Sequence, residues 1–199
     1  MSRPELAALQ IADAAPAWSA LGFTVIEDGV VVLGGVELWL DAAGRGITGW
    51  TLRGLARRGD IDGLATGETA DPPPAPVEHP NRAIGLDQVV VTTPDFDRTA
   101  AALKSAGMAL RRIRDADGFR QGFRRLGPVI LELVEVPRGP AGPARFWGLV
   151  VVVPDLEELR GRLGPLVGEV RDAVQPGRHI ASLSQDAGLT PRIAFMDPE

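Results

Sequence analysis

The sequence contains no cysteine and no tyrosine, one lysine (Lys104) and two histidines, His79 and His179. The first absence excludes disulfides, thiolate metal sites and a cysteine nucleophile. The second removes a common catalytic acid. Two histidines leave little from which to build an imidazole metal centre. No apolar run approaches the roughly 20 residues that cross a bilayer as a helix. The opening MSRPELAALQIADAAPAW lacks the long apolar centre of a secretory signal and turns acidic early. A cytoplasmic protein without membrane contact is expected. A net charge of −5 argues against a general affinity for nucleic acid. Neither a phosphate loop nor a G-x-G-x-x-G fingerprint occurs, and VLGGVEL reads as a hairpin turn. Ser182 and Ser184 lack the G-x-S-x-G setting of a serine hydrolase.

What is present is a chain of 199 residues, 45% apolar, long enough for one or two cores. It says one thing twice. LDQVVVTTPDFDRTAAALKSAG begins at Leu86 and LVVVVPDLEELRGRLG at Leu149, with Pro94 and Pro154 sixty positions apart. Each valine run reads as a buried strand. Asp95 and Asp155 can cap the helices that follow, and Glu158 adds a capping box to the later one. Phe96, Ala100 and Leu103 share one helical face, as do Leu156, Leu159 and Leu163, and Gly107 and Gly164 end the two helices. Three strand candidates complete the first unit: ALRRIRDA from Ala109, FRQGFRRL from Phe119 and VILELVEV from Val129. The turn signals ADG and LGP separate them. The later unit offers VGEVRDAV from Val167, HIASLSQ from His179 and RIAFMDP from Arg192.

A weaker copy stands at the N-terminus. LAALQIAD is a strand candidate, Ala14, Trp18 and Leu21 form a helical stripe, and FTVIEDG, VVVLGG and VELWLDA follow as three strands. GITGWTLRGL is an additional strand with no helix after it. The expected organisation is a degenerate β-α-β-β-β half-unit plus strand over 1–70, a Pro-rich linker over 71–83, and a domain of two units over 84–199. The apolar surface of a lone half-unit needs a partner, either the 84–198 units or its own copy in a homodimer.

Tandem units with this wording resemble the vicinal oxygen chelate superfamily, the glyoxalase/bleomycin resistance/dioxygenase type, over about residues 84–198. The resemblance implies an α+β fold in which paired β-α-β-β-β units form a curved mixed sheet around a cleft. It also implies ligand positions on the first and fourth strands of each unit, where relatives hold a divalent metal. Carried over, these fall on Gln88 and Glu132 in the first unit and on Gly148 and Ala194 in the second. Glycine and alanine supply no metal donor. The leading expectation is therefore a cleft that binds a small organic molecule with no cofactor. The alternative is a weakly bound divalent metal on Gln88 and Glu132 serving a lyase, isomerase or dioxygenase-type enzyme.

Further candidates come from the residues themselves. Arg111, Arg112, Arg114, Arg120, Arg124 and Arg125 crowd one stretch. Arg112 and Arg114 share a strand face, and Arg120, Gly122 and Arg124 share another. In a chain with one lysine among 21 basic residues, an arginine cluster on a solvated face is the plain reading, and the alternative is that one set enters the cleft as a carboxylate or phosphate clamp. Arg120 and Gln121 flank a turn and are candidates for the cleft. Gln175–Arg178 is a turn signature, after which either Arg178 or His179 faces the cleft. Trp147 beside Gly148 either floors a pocket or packs a junction. His79, in EHPN, reads as a linker residue.

Overall fold

The computed structural model describes residues 3–55, 59–116, 118–137, 139 and 141–199. Strands β6 (Gly85–Thr93), β7 (Arg112–Ala116), β8 (Phe119–Leu126), β9 (Val129–Glu135), β10 (Arg145–Val152), β11 (Arg171–Asp172), β12 (His179–Ser182) and β13 (Arg192–Met196) form one sheet in the order β11-β12-β13-β10-β6-β9-β8-β7. Helices α2 (Phe96–Ser105) and α3 (Leu156–Leu163) follow β6 and β10. The fold is α+β, built of paired β-α-β-β-β units.

The two units are symmetric in register. β6 lies parallel to β9 and β10 parallel to β13, while β6 and β10 meet antiparallel. Gln88 faces Val150 and Val90 faces Gly148, pairs that exchange under the sixty-residue shift. The repeat is thus a pseudo-twofold axis between the first strands.

Local chemistry shapes each unit as its residues require. The Asp95 carboxylate accepts the Arg98 N–H at 3.0 Å and that of Asp155 accepts the Glu158 N–H at 2.8 Å. Alternation along the strands gives each a helix-side face and a face away from α2 and α3, here the open face, although Gln88, Val90 and Val150 on it are at most 7% exposed. Val89, Val91, Leu131, Leu133, Leu149, Val151, Ile193 and Phe195 are buried with Phe96, Leu103, Leu156 and Leu159 of the helices. Gln88, Val90, Ile130, Glu132, Val150 and Ala194 lie on the other face. VGEVRDAV shrinks to the two residues of β11, because only Arg171 and Asp172 pair with β12. Asp117, the centre of the ADG turn signal, lies outside the described residues.

The N-terminal sheet runs β2-β3-β1-β4-β5, with β1 (Glu5–Ile11), β2 (Val30–Leu33), β3 (Val36–Trp39), β4 (Ile47–Arg53) and β5 (Thr66–Thr69); α1 spans Ala15–Ala20. FTVIEDG does not form a strand. Only Ile26 makes a bridge, to Val30, before a 3₁₀ turn over Glu27–Gly29 brings the chain back. β1 pairs parallel with β3 and antiparallel with β4, which pairs parallel with β5. These are the relations of β6 with β9 and β10, and of β10 with β13. The additional strand is therefore placed as the first strand of a second unit reduced to β4 and β5.

The two sheets share one continuous apolar cluster. Trp50 of β4, fully buried, meets Phe146 of β10 edge to face, with ring centroids 5.3 Å apart. Polar fastenings ring this contact. Asp13 accepts from the Thr190 N–H and hydroxyl, and Asp62 accepts from the Thr99 hydroxyl and from Arg98 Nε at 2.8 Å. The segment 71–83 carries no helix or strand, yet His79 and Asn81 are buried. The Thr24 N–H donates to His79 Nδ1 at 3.0 Å, so Nε2 carries the proton and donates to the Val32 carbonyl at 2.8 Å. Both imidazole nitrogens are thereby engaged, one holding the segment to Thr24 and the other to β2.

Removing Trp50 opens a cavity where the sheets meet. Trp50→Ala is expected to cost about 3–5 kcal/mol in urea unfolding. The exposed Trp39→Ala is expected to stay within about 0.5 kcal/mol. Comparable losses in the two variants would show that Trp50 does not join the sheets.

Candidate functional site

Three neighbouring strands present polar groups on the open face. β6 contributes Gln88, β9 contributes Glu132 and β8 contributes Gln121. Glu132 stands opposite Val90, one pair along from Gln88, and opposite Phe123 of β8. Gln121 Nε2 donates to Glu132 Oε1 at 2.7 Å. Arg114 Nε of β7 donates to Gln121 Oε1 at 2.6 Å, and its guanidinium lies 5.3 Å from the Phe123 ring centroid. A chain Arg114–Gln121–Glu132 crosses three strands. It fixes the Gln121 amide orientation and one oxygen of Glu132. Burial pushes the Glu132 carboxyl above the usual carboxylate range, with the Arg114 charge acting against it. Gln88 is buried, and among the described residues its amide has no hydrogen-bond partner, nor has Glu132 Oε2.

The matching positions across the pseudo-twofold are bare for a structural reason. A side chain at Gly148 would place its Cβ 2.2 Å from the Arg192 carbonyl oxygen. The missing side chain leaves no pocket, because β13 occupies the space. Ala194, opposite Val150, adds only a methyl group. A metal here would have the Gln88 amide and the Glu132 carboxylate as its protein donors. That is fewer than the three ligands of a catalytic zinc site. Among the described residues, no three His, Cys, Asp or Glu side chains converge. The donor set does not fit a resident zinc.

Trp147 is the additional residue of a β-bulge between Phe146 and Gly148, and it is 53% exposed. It is a surface ring near the strand junction, neither sealed in the core nor floored by a void at Gly148. Arg120 lies on the opposite face from Gln121. It donates to Glu135 and Asp97 and its guanidinium sits 4.7 Å from the Phe96 ring centroid. Those two carboxylates raise its pKa, and Arg120 in turn holds Glu135 below the usual range. Arg178 also leaves the cleft. It is buried, bonds Asp87 at 2.7 Å and donates twice to the Asp197 carbonyl. His179 turns to Asp197, 2.7 Å from Nδ1. That hydrogen bond raises the His179 pKa. Against the penalty of partial burial, the main-chain and ring N–H groups of His179 hold Asp197 below its usual value.

The structure therefore brings Gln88, Gln121 and Glu132 together and separates Arg120, Arg178 and His179 from them. Phe123 was absent from the candidate set, and Arg114 stood in it only as one of the clustered arginines. The sequence placed Arg112 and Arg114 on one face, but the register that brings Arg114 opposite Gln121 belongs to the β7–β8 pairing.

No protein-family model matches the sequence, and no curated protein matches it. Solved structures do. A triple mutant of 4-hydroxymandelate synthase from Streptomyces coelicolor aligns with a TM-score of 0.64 over 98% of this chain and 92% of its own, at 13% identity. Methylmalonyl-CoA epimerase from Mycobacterium tuberculosis aligns at 0.49 over 59% of this chain and 90% of its own, at 19% identity. A variant of Streptomyces coelicolor methylmalonyl-CoA epimerase in complex with 2-nitronate-propionyl-CoA aligns at 0.46 over 56% and 95%, at 14% identity. The match that spans nearly the whole chain shows the fold. This protein has the vicinal oxygen chelate fold that its repeated units resembled.

Two outcomes follow from the ionisable groups. A carboxyl with a raised folded pKa loses stability as pH climbs. Glu132→Gln is thus expected to raise the melting temperature above the usual carboxylate pKa and to leave it unchanged well below. A variant less stable than the parent at neutral pH would contradict the buried charge. The raised His179 pKa gives stability that is fully present below the ordinary imidazole value of about 6.5 and lost as pH rises through the folded value. The lowered Asp197 contributes above its ordinary value and is lost on acidification. His179→Ala should flatten the decline in melting temperature above about pH 6.5.

Proposed function

We propose that this protein binds a small organic molecule on the open face of β6, β9 and β8, and does so without a metal. One observation carries the reading. Arg114 and Gln121 orient the Glu132 carboxyl, while its second oxygen and the buried Gln88 amide are left without protein partners. Polar groups in such a setting are ordinarily hydrogen-bonded, so an oriented carboxyl with one free oxygen beside an unengaged amide suits a ligand that completes both. The two halves differ in character. Gln88, Gln121 and Glu132 make one side polar, while Val90, Val150, Ala194 and Met196 make the rest apolar. A small amphiphilic molecule with a hydroxyl or amide donor fits this division. Phe123, and Trp147 at the rim, offer aromatic surface.

The test is a panel of small aromatic and dicarbonyl compounds, read by thermal shift and tryptophan fluorescence. Gln88→Leu and Glu132→Gln should each weaken a hit by about 1–3 kcal/mol, roughly tenfold to a hundredfold. Arg120→Ala, on the opposite face, should leave its affinity alone. A hit that binds Gln88→Leu and Glu132→Gln as it binds the parent places the site elsewhere. Tight stoichiometric binding of manganese, nickel or zinc, abolished by Glu132→Ala, would replace this reading with a metal-dependent one.

A further inference from the structure

The opposite face of β8 holds a charge with nothing to balance it. Arg124 alternates with Gly122 and Leu126 on the side that faces the core, and only 8% of it is exposed. Its Nε has no hydrogen-bond partner, and its Nη1 has one long contact, 3.4 Å to the Ala109 carbonyl. Among the described residues no carboxylate reaches it. Its charged neighbours are Arg111, whose N–H donates to the Phe123 carbonyl one residue away, and Arg3 ahead of β1. β1 lies against β8 here, with the Glu5 side chain beside Gly127 at the β8–β9 turn. Burial and the charges of Arg111 and Arg3 lower the Arg124 pKa.

A guanidinium stays protonated in proteins, and a buried charge is normally paired. Coding preference explains many arginines in this chain on solvated faces. It does not explain one turned inward beside two others. We propose that Arg124, with the exposed Arg111 and Arg3 at its mouth, forms a second binding site for a small dianionic oxyanion of the phosphate class, at the seam between β1 and β8. Three positive charges suit a dianion. The guanidinium fork presents parallel donors to two of its oxygens, which a halide cannot accept in the same way. The site lies across the sheet from Glu132 and stands independently of the cleft ligand.

The experiment uses the full chain, melted at constant ionic strength with inorganic phosphate, sulfate or phenyl phosphate replacing chloride. Phosphate is expected to raise the melting temperature saturably, and Glu132→Gln is expected to keep that response. Arg124→Met should abolish it. The Arg3→Ala/Arg111→Ala double variant, changed only at exposed positions, should weaken phosphate by roughly tenfold or more. It decides the question if Arg124→Met does not fold. Tighter binding of phenyl phosphate than of inorganic phosphate identifies the anion as a group on a larger ligand, and equal binding identifies the free ion. Either supports the site. A melting temperature no higher in phosphate than in chloride overturns the proposal, as does a phosphate response that the double variant leaves intact.

Discussion

The antiparallel pairing of β6 with β10 is the contact on which the rest of the molecule depends. Each is the first strand of its unit, and each carries its unit's fourth strand in parallel on its far side. Joining them turns two small sheets, each with one unprotected edge, into one wide sheet with its helices on a common face. The register of that joint also sets which residues face one another across the pseudo-twofold. Two irregularities, at Phe146/Gly148 and at Val150/Val151, bend β10 relative to β6. Gly148 lets the β13 main chain come close where any Cβ would collide with a carbonyl. The glycine that erases a ligand position is thus a packing requirement.

The same joint is repeated in β1 and β4, with less material around it. The second N-terminal unit keeps its first and fourth strands, and among the described residues no helix lies between them. The core face of β4 is covered instead by the larger sheet, through Trp50 and Phe146. Polar contacts at the margin fix how the sheets sit. Asp62 reaches the first turn of α2, where a carboxylate is favoured by the free N–H groups and the helix dipole. Buried apolar area supplies most of the stability of this arrangement, and the hydrogen bonds at the edge specify its geometry.

Charge is distributed unevenly between the two faces of β8. On the open face, the neutral Gln121 amide links Arg114 to Glu132 by accepting from one and donating to the other. On the core side, Arg120 is neutralised by Glu135 and Asp97. Arg124, four residues on, has no such partner. One strand therefore carries a saturated arginine, an unsaturated one and an amide relay, all within five positions.

The repeat of valine run, Pro-Asp and capped helix specified the two units because strands, caps and helix stops are local. Asp95, Asp155, Gly107 and Gly164 act through neighbours three or four residues away, and a reader of the chain meets them in order. Gln88 and Glu132 were legible only through the family resemblance, because the β6–β9 register is what turns both to one face. Other features arise between segments far apart in the chain. Arg178 pairs with Asp87 across ninety-one positions, Asp62 holds Arg98 across thirty-six, and Gln121 bridges two strands to orient Glu132. Pattern along the chain put Arg120 and Gln121 side by side as equal candidates, and the pleat sent them to opposite faces. The sequence by itself determined the first strand, the capped helix and the fourth strand of each repeated unit, whereas β5 and the loss of a strand at FTVIEDG lay outside it. Only the tertiary structure decided which polar side chains meet, because strand register and the packing of one sheet on another are set by contacts that no local window contains.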